Sequence, residues 1–177
     1  MSKKKILLIT YDNCDDSEVL YPLFRMREAG YTVDVASMEK RTIKAKYHFT
    51  VDATLLLDEV DPSEYAGLIL PGGTAPEKIR QQAAALEITK YFDRSHLPIA
   101  AICHGPLILI SAGTLRGRRC TCYPGIRDDL INAGGLYENA EVVVDGTLVT
   151  SRRPEDLPAL MREFVALLEK NDNRSIF

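Results

Sequence analysis

Short, wholly apolar runs constrain this chain more than any other feature. Ile6-Leu7-Leu8-Ile9, Gly67-Leu68-Ile69-Leu70 and Pro98-Ile99-Ala100-Ala101-Ile102 lack the polar alternation of a strand with one wet face. A run of that length and character is a strand covered on both sides. Thr32-Val33-Asp34-Val35-Ala36 reads as another strand. Helical spacing lies between them. Val19, Leu20, Leu23, Phe24 and Met26 recur at that spacing until Gly30, residues 76–95 read as one helix or two, and residues 106–112 and 126–133 as further helices. Residues 39–54 lack a clear period and suggest a small hairpin around His48. Residues 141–150 read as two strands about an Asp145-Gly146 turn. Leu157, Leu160, Met161, Phe164, Val165 and Leu168 form the stripe of a last amphipathic helix, with a frayed tail expected from Asn171 onward.

Strands separated by helices pair in parallel through right-handed crossovers. The expected fold class is therefore α/β, with a mostly parallel sheet and helices on both faces. No repeat, linker or low-complexity stretch interrupts the 177 residues, and a single domain over 1–177 is expected. In such sheets ligands bind beyond the carboxyl ends of the strands. The acidic loop after the first strand, the Pro71-Gly72-Gly73 loop and the residues after Ile102 meet there.

Charge excludes some functions. The 22 basic and 25 acidic residues give a net charge of -3, so no broad basic field is on offer for nucleic acid or an anionic membrane. Ser2-Lys3-Lys4-Lys5 resembles the start of a signal peptide, but the apolar run behind it ends at Asp12 with no small-residue cleavage site. No stretch approaches the roughly 18 apolar residues that span a bilayer. A soluble, cytoplasmic protein is expected. In that compartment Cys14, Cys103, Cys120 and Cys122 are thiols by default.

The most informative segment is Ala101-Ile102-Cys103-His104-Gly105-Pro106. A buried strand runs straight into a cysteine, and Pro106 suits the first position of a helix. This is the sharp strand-to-helix turn that exposes a nucleophile in hydrolases, with Cys in place of Ser. Unpaired N–H groups at a helix start favour the thiolate. The alternative is an inert buried cysteine. His104 follows at once; it can turn toward the thiol or stand as an ordinary histidine at a helix start. Gly72 and Gly73 free the backbone to present N–H groups, which with the His104 amide form an oxyanion hole, or else they make a plain turn. The Gly-Lys-Ser/Thr ending of a phosphate loop is missing. Glu18 opens the first helix beside the same edge. There it either sets the ionisation of Cys103 or compensates the helix dipole. Asp12, Asp15 and Asp16 lack the ligand pattern of a calcium loop and read as a solvated acidic loop. Cys120 and Cys122, without a second pair, make a poor zinc site and read as structural thiols. Cys14 lies in a loop near Cys103 and is a candidate resolving thiol.

Taken together, Ala-Ile-Cys-His-Gly-Pro at 101–106, Pro-Gly-Gly-Thr-Ala-Pro-Glu at 71–77, Glu18 before Tyr21-Pro22, Gly125–Gly134 and Glu141–Gly146 resemble the ThiJ/PfpI family from Lys5 to Leu168. The resemblance implies a flavodoxin-like three-layer sandwich of the class I glutamine amidotransferase-like kind. It implies that Cys103 is the nucleophile, Glu18 the buried acid touching it, and Gly73 and His104 the backbone oxyanion donors. In the PfpI branch His104 matches the triad histidine and Glu77 the triad acid, supplied by a neighbouring subunit. Self-association as a dimer or hexamer follows. Tyr123 matches an aromatic residue lining the pocket. Asp15 stands where many relatives carry Glu, and Cys14 where a bulky apolar residue is common, and both bear on substrate shape.

Three functions compete. One is a glutathione-independent glyoxalase or deglycase-like enzyme, in which Cys103 adds to a small aldehyde such as methylglyoxal and lactate is released. A second is an intracellular cysteine peptidase or amidase using Cys103, His104 and Glu77 on a peptide. The third is a redox sensor or stress chaperone in which Cys103 is oxidised. None of these calls for a cofactor or a metal.

Overall fold

The structure is a computed structural model and describes residues 5–174. Residues 1–4, with Lys3 and Lys4 of the basic start, and the last three residues of the expected tail lie outside the described residues. In chain order the elements are β1 (Lys5–Ile9), α1 (Asp16–Glu28), β2 (Thr32–Ser37), β3 (Thr42–Lys44), β4 (Thr50–Asp52) and β5 (Leu55–Leu56). Then come β6 (Gly67–Leu70), α2 (Ala75–Ile79), α3 (Ala83–Arg94), β7 (Ile99–Ile102) and α4 (Pro106–Ala112). The chain ends with β8 (Arg119–Cys120), α5 (Arg127–Asn132), β9 (Leu136–Tyr137), β10 (Val143–Asp145), β11 (Leu148–Ser151) and α6 (Leu157–Arg174).

The central sheet has seven strands in the order β10-β11-β7-β6-β1-β2-β5. All neighbours pair in parallel except the β10–β11 hairpin at one edge. The fold is thus a flavodoxin-like α/β sandwich. Ile6, Leu7, Leu8 and Ile9 are completely buried because β1 has a strand on each side and helices above and below. Helices α1 and α6 pack together on one face, and α3 and α4 pack together on the other.

Helix periodicity explains which residues enter the core. Val19, Leu23 and Met26 lie on one line of α1 and are buried. Phe24, read as part of the same stripe, lies about 100° round the helix from Leu23 and is 57% exposed. On α6 the whole expected stripe is buried, Phe164 completely. The last helix continues through Asn171 to Arg174, where a frayed tail was expected. Residues 76–95 are two helices, α2 and α3, separated at 80–82. The hairpin around His48 is present, with β3 and β4 antiparallel and His48 in the left-handed region at φ 80°. The β10–β11 turn is centred on Gly146-Thr147, one residue later than expected, because Asp145 pairs with Leu148. The φ of 60° at Gly146 suits the first turn position.

Candidate active site

The carboxyl ends of β1, β6 and β7 converge on Cys103. Strand β7 is entirely buried and stops at Ile102; α4 starts at Pro106. Only three residues remain to reverse the chain, and Cys103 takes the left-handed conformation, φ 60°, to do it. For a residue with a Cβ this costs on the order of 1–2 kcal/mol. Hydrogen bonds on both sides hold it there. The Cys103 N–H donates to the Ser151 carbonyl at 3.1 Å, the Tyr123 N–H donates to the Cys103 carbonyl at 2.9 Å, and the Gly105 N–H closes on the Ile102 carbonyl at 2.8 Å.

Two proton-carrying side chains flank the sulfur. His104 turns toward it, with Nδ1 3.3 Å from Sγ. Glu18 approaches from α1 and is completely buried. Asp15-Asp16-Ser17-Glu18 has the spacing of a capping box, and Asp15 does cap α1, accepting from the Ser17 N–H at 3.0 Å and the Glu18 N–H at 3.3 Å. Glu18 does not complete the box. The Asp15 N–H goes to the Gly72 carbonyl at 3.4 Å, and the Glu18 carboxyl turns inward. Its Oε2 accepts the Gly72 N–H at 2.6 Å. Its Oε1 has no conventional hydrogen-bond partner, and the Cys103 thiol is the acidic hydrogen facing the carboxyl.

Burial sets the electrostatics. It pushes the Glu18 carboxyl up to about 8, with the Asp15 charge adding to the shift. It also pushes the Cys103 thiol up to about 12, aided by the Glu18 charge and opposed by the N–H groups of Gly73 and His104. Both groups are protonated at neutral pH. Loss of one proton leaves one to be shared between sulfur and carboxyl, so the two titrate as a pair. Burial holds His104 below the ordinary histidine value, while the Glu77 charge opposes that shift.

The glycines are there for space. A Cβ on Gly72 would lie 2.6 Å from Glu18 Oε2, 2.8 Å from Cys103 Cβ and 2.9 Å from the His104 nitrogen. Gly73 has φ +75°, and a Cβ there would meet the Cys14 carbonyl carbon at 2.7 Å. An antiparallel bridge to Cys14 fixes it, leaving its N–H aimed at Sγ. The Tyr123 ring stacks on His104 with centroids 4.8 Å apart, and forms an exposed wall of the site. Glu77 lies in the first turn of α2, exposed; among the described residues no hydrogen bond joins it to His104.

Three residues differ from their sequence reading. Asp12, Asp15 and Asp16 are not a solvated loop. Asp12 takes both ends of the Arg41 guanidinium, at 2.7 and 3.1 Å, and the Lys44 N–H at 2.9 Å. Asp16 accepts the N–H groups of Tyr47 and Phe49, both at 2.7 Å. The loop thus clamps the β3–β4 hairpin, a role invisible to local pattern because its partners lie about thirty residues away. All four cysteines are free. Cys14 is buried with its thiol beside the Thr10 hydroxyl, and burial pushes that thiol up. No helix among the described residues is long and apolar enough to cross a membrane.

A flavodoxin-like sandwich with a cysteine at the strand-to-helix elbow, flanked by a buried carboxyl and a histidine, defines the class. Residues 4–167 match the model of the DJ-1/PfpI family, and the chain belongs to that family. A deglycase of Pyrococcus abyssi is 52% identical over 165 residues, 93% of this chain and 99% of that protein. Deglycase PfpI of Pyrococcus furiosus is 50% identical with the same coverage. A solved two-domain protein of Anabaena variabilis, containing DJ-1/ThiJ/PfpI-like and ferritin-like domains, superposes with a TM-score of 0.92 at 31% identity. The match covers 94% of this chain and 48% of that one.

Proposed function

We propose that this protein is a cysteine-dependent deglycase that converts early dicarbonyl adducts, and the free dicarbonyl itself, to a hydroxy acid. The observation that carries the reading is the position of the Cys103 sulfur, between a proton-bearing Glu18 and the Nδ1 of a neutral His104. The names of the Pyrococcus relatives support it.

The chemistry follows from those groups. The neutral His104 takes the thiol proton at Nδ1, and the sulfur attacks the aldehyde carbon of methylglyoxal. A carbon–sulfur bond forms, the carbonyl π pair moves to oxygen beside the Gly73 and His104 N–H groups, and that oxygen is protonated. Attack on the carbinolamine of a glycated amine reaches the same hemithioacetal, with the carbon–nitrogen bond breaking and the amine leaving with a proton. A base then removes the hydrogen from the sulfur-bearing carbon and returns a proton to the neighbouring carbon. One carbon is oxidised and the other reduced within the molecule, so the balance draws on no outside oxidant. Water cleaves the resulting thioester, releasing lactate and restoring the thiol.

The test is lactate and free amine release from methylglyoxal-treated Nα-acetyllysine. Wild type is expected to release both; Cys103→Ala releases neither, and Glu18→Gln is slower by about a hundredfold or more. A folded wild type that yields no lactate overturns the reading.

One observation favours a second reading. The Cys103–His104 contact supports it, as the nucleophile–base side of the triad such a peptidase needs. In that reading a neighbouring copy of the chain brings its own Glu77 to His104, and the homo-oligomer is part of the site. Peptide cleavage that survives Glu77→Ala overturns it.

A further inference from the structure

The tip of the β3–β4 hairpin, residues 45–49, takes no part in the chemistry above, yet it is held against the site. Asp16 receives two of its backbone N–H groups. The Lys46 N–H donates to the Cys14 carbonyl at 2.9 Å, and Cys14 in turn bridges Gly73, whose own N–H faces the sulfur. Two backbone contacts therefore connect Lys46 to the oxyanion side of Cys103. The Lys46 side chain is exposed, its ammonium lies 5.0 Å from the Tyr47 ring centroid, and it interacts electrostatically with Asp15 and Cys103.

Carboxylates crowd the same space. Asp15 and Glu155 both act on the protonated Glu18 beside the thiol, and Glu77 acts on His104. A small anion entering this ring meets repulsion unless a cation offsets it. Lys46, exposed on a long arm and tethered by its backbone to Cys14, supplies that charge.

We propose that Lys46 is a specificity-determining residue, which biases Cys103 toward carbonyl compounds bearing a carboxylate next to the reacting carbon, glyoxylate being the simplest, over neutral aldehydes of similar size. The inference rests on the reading of Cys103 as nucleophile. The step it governs is the addition already described. Sulfur bonds to the aldehyde carbon, the π pair goes to oxygen, and that oxygen takes the proton the thiol gave up. The adjacent carboxylate is unchanged and is held by the ammonium.

Alkylation tests this without turnover. Iodoacetate and iodoacetamide have nearly the same shape, and differ in charge. The ratio of their rates at Cys103, followed by peptide mass spectrometry, cancels the thiolate fraction and reports the local potential. Lys46→Ala is expected to lower the iodoacetate-to-iodoacetamide ratio about threefold and Lys46→Glu about tenfold, with Lys46→Arg near wild type. The differences shrink as ionic strength is raised to about 0.5 M. Equal ratios in wild type and Lys46→Glu overturn the proposal. A change that salt does not touch also overturns it, since it marks a displaced hairpin and not a lost charge. A Cys103 inert to both reagents overturns it too, because that site admits no electrophile to orient. Failure of the deglycase reading looks different: no lactate is formed while the alkylation ratio still follows Lys46.

Discussion

A cysteine in the left-handed region, with both backbone groups tied to neighbouring segments, has little freedom to turn its sulfur away from Glu18. Burial raises the cost of ionising both groups; the Glu18 charge raises it further for Cys103, while the hydrogen bond from the thiol favours the Glu18 carboxylate. Their shared titration is the handle for a first prediction. The rate of Cys103 alkylation by iodoacetamide should rise to an inflection near pH 8, where the pair loses its first proton, below the 9.0 of an ordinary thiol. Glu18→Gln removes the group that titrates there and should move the inflection away from 8. An identical profile in the variant would show that the ionisation belongs to another group. Cys103 stood out in the sequence because the strand before it and the proline after it left no room for a gradual turn. Glu18 is different. Acidic residues suit any first helical turn, and only the packing of α1 against the Gly72 loop shows its carboxyl turned inward, away from the dipole.

At the scale of elements, the β3–β4 hairpin is the part that local pattern served least. It is a separate two-stranded sheet, and such a hairpin has little stability of its own. Its anchors are Ile43, fully buried, and the carboxylates of Asp12 and Asp16. Asp16→Ala should therefore leave the seven-stranded sheet intact and loosen the tip. Loss of two hydrogen bonds to a charged acceptor should speed amide deuterium exchange at Tyr47 and Phe49 by about tenfold or more. Exchange across β1 and β7 is the internal control. If exchange at 47 and 49 is unchanged, the clamp is not what holds the hairpin. The outer side of α1 was also misjudged by spacing alone. Tyr21 and Phe24 border an open hollow of about 620 Å³, since a helix two residues wide in its apolar stripe buries one line and exposes the next.

For the whole molecule, Glu18 links the site to stability. Its folded value lies near 8, against 4.5 for an unperturbed carboxyl, so the native state binds the extra proton between those limits. Stability must fall as pH rises through that window, by up to about 1.4 kcal/mol per pH unit for one proton. His104 acts in the opposite sense below its ordinary 6.5, because burial keeps it neutral in the native state while the unfolded state takes the proton. Carboxylates held low, such as Asp12 beside Arg41, act only at lower pH. The comparison that isolates Glu18 is therefore Tm of wild type against Glu18→Gln at pH 5 and pH 8. The variant keeps His104, so its Tm should drop less, or rise, over the same interval. Parallel curves would show that Glu18 is ionised in the native state.

The sequence by itself determined the sandwich, its main strands and the cysteine at the elbow. Those features are written in short-range pattern: apolar runs too dry for one wet face, helical spacing between them, and a proline that starts a helix after only three intervening residues. Tertiary structure decided the rest. The inward turn of Glu18, the clamp of Asp12 and Asp16 on a hairpin thirty residues on, the sheet order and the tether of Lys46 to Cys14 depend on which segments meet in space. A carboxylate's partner and its proton are set by burial and by neighbours remote in the chain, and residue spacing carries no record of either.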